Sequence, residues 1–140
     1  MYSVGDIAKY IISYSYAINK PVSNLKLQKL LYFVQGESYE RNGQPLFEED
    51  MYAWQFGPVV PLVYYEYCNY VSMPILEKYD VSIDEESKDI IESVIDEHKD
   101  NSVWLLVNMT HEKGSPWEKT YVSSVERKID KQLLKNVFLT

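Results

Sequence analysis

Leu25-Lys26-Leu27-Gln28-Lys29-Leu30-Leu31-Tyr32-Phe33-Val34-Gln35 is the stretch that decides how the rest of the chain is arranged. Leu27, Leu30, Leu31 and Val34 recur at i, i+3, i+4 and i+7, the spacing of one helical face. Leu30 to Val34 is an unbroken apolar and aromatic run, covering nearly every direction round the axis, and a helix apolar all round is a buried one. The pattern predicts a central helix from about Leu25 to Arg41, capped by Ser23 or Asn24. Its first turn differs, because Lys26, Gln28 and Lys29 are polar. Spacing alone reads them as a solvated helix entrance. Positive charge there opposes the helix dipole, however, so a binding role or a pairing with distant acids accounts for the lysines better than local stability does.

At 140 residues the chain reads as one domain, 1–140, large enough to bury a core without metals or disulfides. A single cysteine, Cys68, excludes an intrachain disulfide and any zinc site built on several thiolates. Met1 to Asn19 carries Asp6 and Lys9 and is amphipathic, unlike a signal peptide, and no apolar run reaches membrane-spanning length. The expectation is a soluble cytoplasmic protein. A net charge of −7 argues against general nucleic-acid binding, which needs a surplus of Lys and Arg. Tyrosine stands out, with 13 copies against 4 phenylalanines, and it suits either interfaces or half-buried packing.

Ser3-Val4-Gly5-Asp6 resembles a helix start, and Val4, Ile7, Ala8, Ile11 and Ile12 form a stripe able to pack on the central helix. After Asn42-Gly43-Gln44-Pro45, the alternation in Met51 to Phe56 predicts a strand with Tyr52, Trp54 and Phe56 on one face. Its expected partner is the Leu46-Phe47 stretch or the segment Ile75 to Ile83, because a lone strand is unstable. Gly57-Pro58 is read as the stop of that strand and the start of a third helix running to about Val71, with Cys68 as a small buried residue. Asp84, Ser102, Ser115 and Asp130 each read as the N-cap of a further helix. The fold class is therefore mainly α (α+β), a compact helical domain with a small antiparallel sheet or hairpin inserted after the second helix.

The catalytic inventory is thin. Neither a Gly-rich phosphate loop nor a nucleophile elbow is present. His98 falls on the apolar face of the fourth helix. His111 lies just past a helix, where it can contact the last carbonyls, and no local spacing supplies it with metal co-ligands. No catalytic residue, cofactor or metal site is assigned.

Leu25 to Tyr32, then Ala53-Trp54-Gln55-Phe56-Gly57-Pro58-Val59, then Thr110-His111 and Pro116-Trp117, together resemble the motif series of the Panacea domain. This is the SocA-like family, also described as GepA-like phage-associated proteins. The resemblance covers nearly the whole chain, and its first two blocks are specific in combination. It implies an antitoxin that neutralises a toxin encoded beside it by direct contact, or a proteolytic adaptor that delivers the toxin to a AAA+ protease. Carried over by motif, Lys26, Gln28, Lys29, Tyr32, Trp54, Gly57, Pro58, Thr110, His111 and Trp117 would form the shared partner surface or its framework. The expectation is that Lys26, Gln28, Lys29 and Tyr32 line a groove beside the Trp54-Gly57-Pro58 turn, so that Lys29→Glu leaves folding nearly intact. The rival readings are a small prophage hydrolase using Thr110 and His111, and a DNA-binding autoregulator.

Overall fold

In the computed structural model, which describes residues 1–139, the chain forms seven α-helices, one of them buried among the others, and a short hairpin closes one side. The helices are α1 (Val4–Ala17), α2 (Asn24–Asn42), α3 (Pro61–Glu66), α4 (Glu85–His98), α5 (Val103–Thr110), α6 (Pro116–Ser123) and α7 (Lys131–Phe138). The strands are β1 (Tyr52–Trp54) and β2 (Gly57–Val59). The helix starts follow the caps legible in the sequence: Ser3, Ser23, Asp84, Ser102, Ser115 and Asp130 each accept a hydrogen bond from a first-turn amide. Gly43, at φ 69°, closes α2, with its N–H donated to the Tyr39 carbonyl.

Helix α2 packs against α1, α3, α4, α5, α7 and β2. Leu27, Leu30, Leu31 and Val34 are almost wholly buried, as their spacing requires. The core also takes in Ile7, Ile11 and Ile12 of α1 and Ile91 and Ile95 of α4. The ring of Phe138 lies directly over Gly36, where any Cβ would fall within 2.3 Å of it. Only glycine lets α7 approach α2 this closely.

The hairpin differs from its expected form. β1 is paired antiparallel with β2, in the register Tyr52↔Val59, Ala53↔Pro58 and Trp54↔Gly57, and not with Leu46-Phe47 or Ile75 to Ile83. Gly57 and Pro58 are thus strand residues, and the strand they were expected to end turns back through them. Phe56 occupies the two-residue turn rather than the face shared by Tyr52 and Trp54. The free edge of β1 is taken by 127–129: the Ala53 N–H donates to the Arg127 carbonyl, and the Ile129 N–H to that of Met51. Leu46-Phe47 instead meets Tyr2, and the extended segment from Ile75 to Ile83 buries its two end isoleucines without forming a strand.

The third helix is also shorter than expected. It begins with Pro61 at its first position, where the missing N–H costs no bond, and a single 3-10 turn (Cys68–Tyr70) follows. Cys68 is exposed, because the helix that would have turned it inward has ended.

Candidate partner-binding site

The chain between Gln44 and Val60 is mostly irregular, so its buried main-chain groups need partners that regular structure does not supply. Helix α2 supplies them from its polar side chains. The Gln35 side chain accepts from the Leu46 N–H at 2.8 Å and donates to the Phe47 carbonyl at 2.8 Å. Ser38 Oγ donates to the Gln44 carbonyl at 2.7 Å. Gln28 Oε1 accepts from the Val60 N–H at 2.8 Å, while its Nε2 donates to Asn24 Oδ1, and Asn24 in turn donates to the Tyr64 carbonyl. Lys29 Nζ donates to the Pro58 carbonyl at 2.8 Å.

Gln28 and Lys29 are each 0% exposed, so neither lines an open groove. Lys29 is a buried ammonium with a single carbonyl as its hydrogen-bond partner among the described residues. Burial pushes its pKa down to about 7. Gly57 is the reason it fits. At φ 113°, that glycine leaves a space in which a Cβ would meet Lys29 Cε at 2.8 Å and Thr110 Oγ1 at 2.8 Å. Lys29, Gly57, Pro58 and Thr110 therefore form one closed knot joining α2, the hairpin and the end of α5.

A second layer lies beside it. Trp117 Nε1 donates to the Trp54 carbonyl at 2.6 Å, tying α6 to β1. The His111 ring stacks on Trp117 at 3.6 Å between centroids and 11° between planes. Trp117 stacks on Tyr121, over which the Arg127 guanidinium lies at 4.1 Å. His111 Nε2 is buried without a hydrogen-bond partner among the described residues, and burial followed by the nearby Lys29 charge lowers its pKa. The Thr110 hydroxyl donates to the Val107 carbonyl within its own helix. These groups hold a geometry rather than present a nucleophile.

Two of the expected residues go elsewhere. Lys26 reaches the C-terminal end of α4, donating to the Lys99 carbonyl at 3.2 Å and the Asn101 carbonyl at 2.8 Å. Tyr32 is 4% exposed and faces the loop between α5 and α6 instead of the hairpin. Eight of the ten motif residues are thus gathered around one hairpin, and most of them are interior.

What the knot holds up to solvent is apolar. Phe56, at the hairpin turn, is 45% exposed and meets Trp104 of α5 edge-on, with ring centroids 5.4 Å apart. Trp104 is 55% exposed and Leu105 46%. Tyr65, exposed on α3, packs edge-on against Trp54. Spacing assigns Val103, Leu106 and Val107 to the inner face of α5 and passes over Trp104 and Leu105. The signal available in the sequence is that Val103 to Thr110 contains no charged residue, although so short a helix cannot be buried on every side.

Comparison with known proteins bears on both layers. The family model described as "Antitoxin SocA-like, Panacea domain" matches residues 27–118. The chain is 32% identical over 125 residues to Antitoxin SocA of Caulobacter vibrioides (strain NA1000 / CB15N), an alignment covering 80% of this chain and 66% of that protein. The chain thus spans just under two thirds of that relative's length. No solved structure matches it. Among the described residues no helix is long and apolar enough to cross a membrane.

Proposed function

The chain belongs to the antitoxin SocA-like Panacea domain family, and from that membership we propose that it is an antitoxin, not an enzyme. It neutralises a cognate toxin in the cytoplasm by direct contact through the face formed by α5 and the hairpin turn. The observation that carries this reading is that face itself: a helix without a charged residue, leaving Trp104 and Leu105 about half exposed beside Phe56. Contiguous exposed apolar surface marks interaction sites, and aromatic anchors dominate binding energy at interfaces. The buried motif residues then act as positioning residues, fixing where Phe56 stands relative to Trp104.

The test is co-expression with the gene encoded alongside. That gene should be toxic alone and harmless with the wild-type protein. Trp104→Ala and Leu105→Glu should keep the thermal melt of the wild type and lose rescue. A harmless neighbour, or one that stays toxic beside the wild type, removes the antitoxin reading. Full rescue by both variants keeps the function and moves the contact face. Rescue that disappears in a strain lacking a AAA+ protease would make delivery to that protease the mode of neutralisation.

A further inference from the structure

The loop from Glu112 to Pro116 lies between the motif residues His111 and Trp117 and takes no part in the hairpin knot. It forms one wall of a cavity of about 270 Å³ at the other end of α5. Phe33, Met109 and Phe138 supply apolar walls, and Tyr32 projects into the cavity from α2. Among the described residues the Tyr32 hydroxyl makes no hydrogen bond, although the residue is 96% buried and its oxygen is not sealed from the cavity. Its ring is fixed edge-on between Phe33, at 5.2 Å, and Phe138, at 5.6 Å. Burial, then the Glu112 carboxylate, push its pKa up, so the hydroxyl stays neutral and able to donate. Gly114, at φ 81°, sets the loop's course, and its N–H is occupied by Glu118. The Ser115 hydroxyl is likewise occupied, by the Thr110 carbonyl and the Glu118 amide. Tyr32 is therefore a buried donor left unused beside this space, while Glu112 and Lys113, both exposed, carry charge at its rim.

Leu105 and Met109 are i, i+4 neighbours on α5, so the cavity continues the apolar strip that begins at Phe56 and Trp104. Its volume falls below the usual range for drug-sized ligands. Apolar walls around a buried neutral donor, with the charged Glu112 and Lys113 confined to the exposed rim, match an apolar side chain whose own main-chain carbonyl lies beside it. Val137 and Phe138, which close the far side, lie beyond the residues matched by the family model.

We propose that this cavity is an anchor pocket for the partner protein: it takes one apolar side chain of the toxin, and the Tyr32 hydroxyl donates to the adjoining main-chain carbonyl. α7 supplies the wall that sets which side chain fits. The proposal rests on the antitoxin reading and names a second contact for it.

The experiment is calorimetric titration of the purified protein with the purified, catalytically disabled toxin, with a thermal melt and a sedimentation run for each variant. Tyr32→Phe removes one oxygen and keeps the ring packing, and it should weaken binding roughly tenfold. Met109→Arg places a charged side chain across the mouth and should weaken it roughly a hundredfold. Neither should shift the melt. If both bind as the wild type does while Trp104→Ala is weakened, the antitoxin reading stands and the pocket proposal is overturned. Loss with Met109→Arg alone overturns the carbonyl contact. A wild type that self-associates through this cavity, with toxin affinity unchanged in both variants, assigns it to a second copy and overturns the proposal. A wild type that does not bind the toxin removes both readings.

Discussion

Lys29 and the hairpin depend on one another, because its buried amino group has only the Pro58 carbonyl as a partner among the described residues. Lys29→Glu puts a carboxylate against the Pro58 carbonyl with no donor to compensate it among the described residues, and should destabilise the fold by about 3–5 kcal/mol, the usual cost of an uncompensated buried charge. Chemical denaturation reads this, and it replaces the expectation that the variant folds nearly intact. The same residue gives a pH signature. Its folded pKa of about 7 lies below the ordinary 10.5, so between those values the unfolded chain holds a proton that the folded chain lacks. Stability therefore rises with pH across that window and is flat below it. From pH 7 to pH 9.5 the wild type should gain roughly 3 kcal/mol more than Lys29→Met does. Tyr10 and Tyr14, whose pKa values are raised by burial and by Glu92 and Asp96, begin to act in the opposite sense only above that range. Gly57→Ala should cost about 3 kcal/mol, because the positive φ and the contacts with Lys29 and Thr110 penalise it together.

At the scale of elements, α1 and α4 show where many of the tyrosines go. Tyr2, Tyr10 and Tyr14 donate to Asp84, Glu92 and Asp96, and each partner lies 82 positions further along the chain. A constant offset means that the two helices run parallel and in register, with tyrosine hydroxyls laced to carboxylates along the seam. Three of the 13 tyrosines are thus used to lace two helices together. Tyr10→Phe should cost about 1 kcal/mol in a denaturation midpoint, since Glu92 then turns to water. The caps and the apolar stripes were legible because each depends on a few neighbouring residues. The central helix matched its expected span to within a residue at either end, and its burial followed from the run Leu30 to Val34. The interior position of Gln28, Lys29 and Gln35 was not legible, because it depends on carbonyls and amides between Leu46 and Val60 that have no periodicity of their own. The hairpin was half legible: alternation marked β1, but Gly57-Pro58 reads as punctuation in isolation and becomes a strand only where Lys29 holds it.

For the whole molecule, most of the motif residues gather round one hairpin, at a depth that their spacing does not reveal. Those chosen for contact lie mostly beneath the surface, while Phe56, Trp104 and Leu105 lie on it. A motif marks a constellation of residues, and burial decides which of them can touch a partner. The net charge of −7 leaves the apolar strip as a neutral band on an acidic molecule, with no charged residue along α5 to oppose a partner there. The most direct measurement is amide hydrogen exchange of the protein alone and with its toxin. The account predicts new protection at the hairpin turn, Gln55 and Phe56, and along Trp104 to Lys113, with the α1–α4 tyrosine seam unchanged. Protection confined to that seam, with the turn and α5 exchanging as in the free protein, would contradict it.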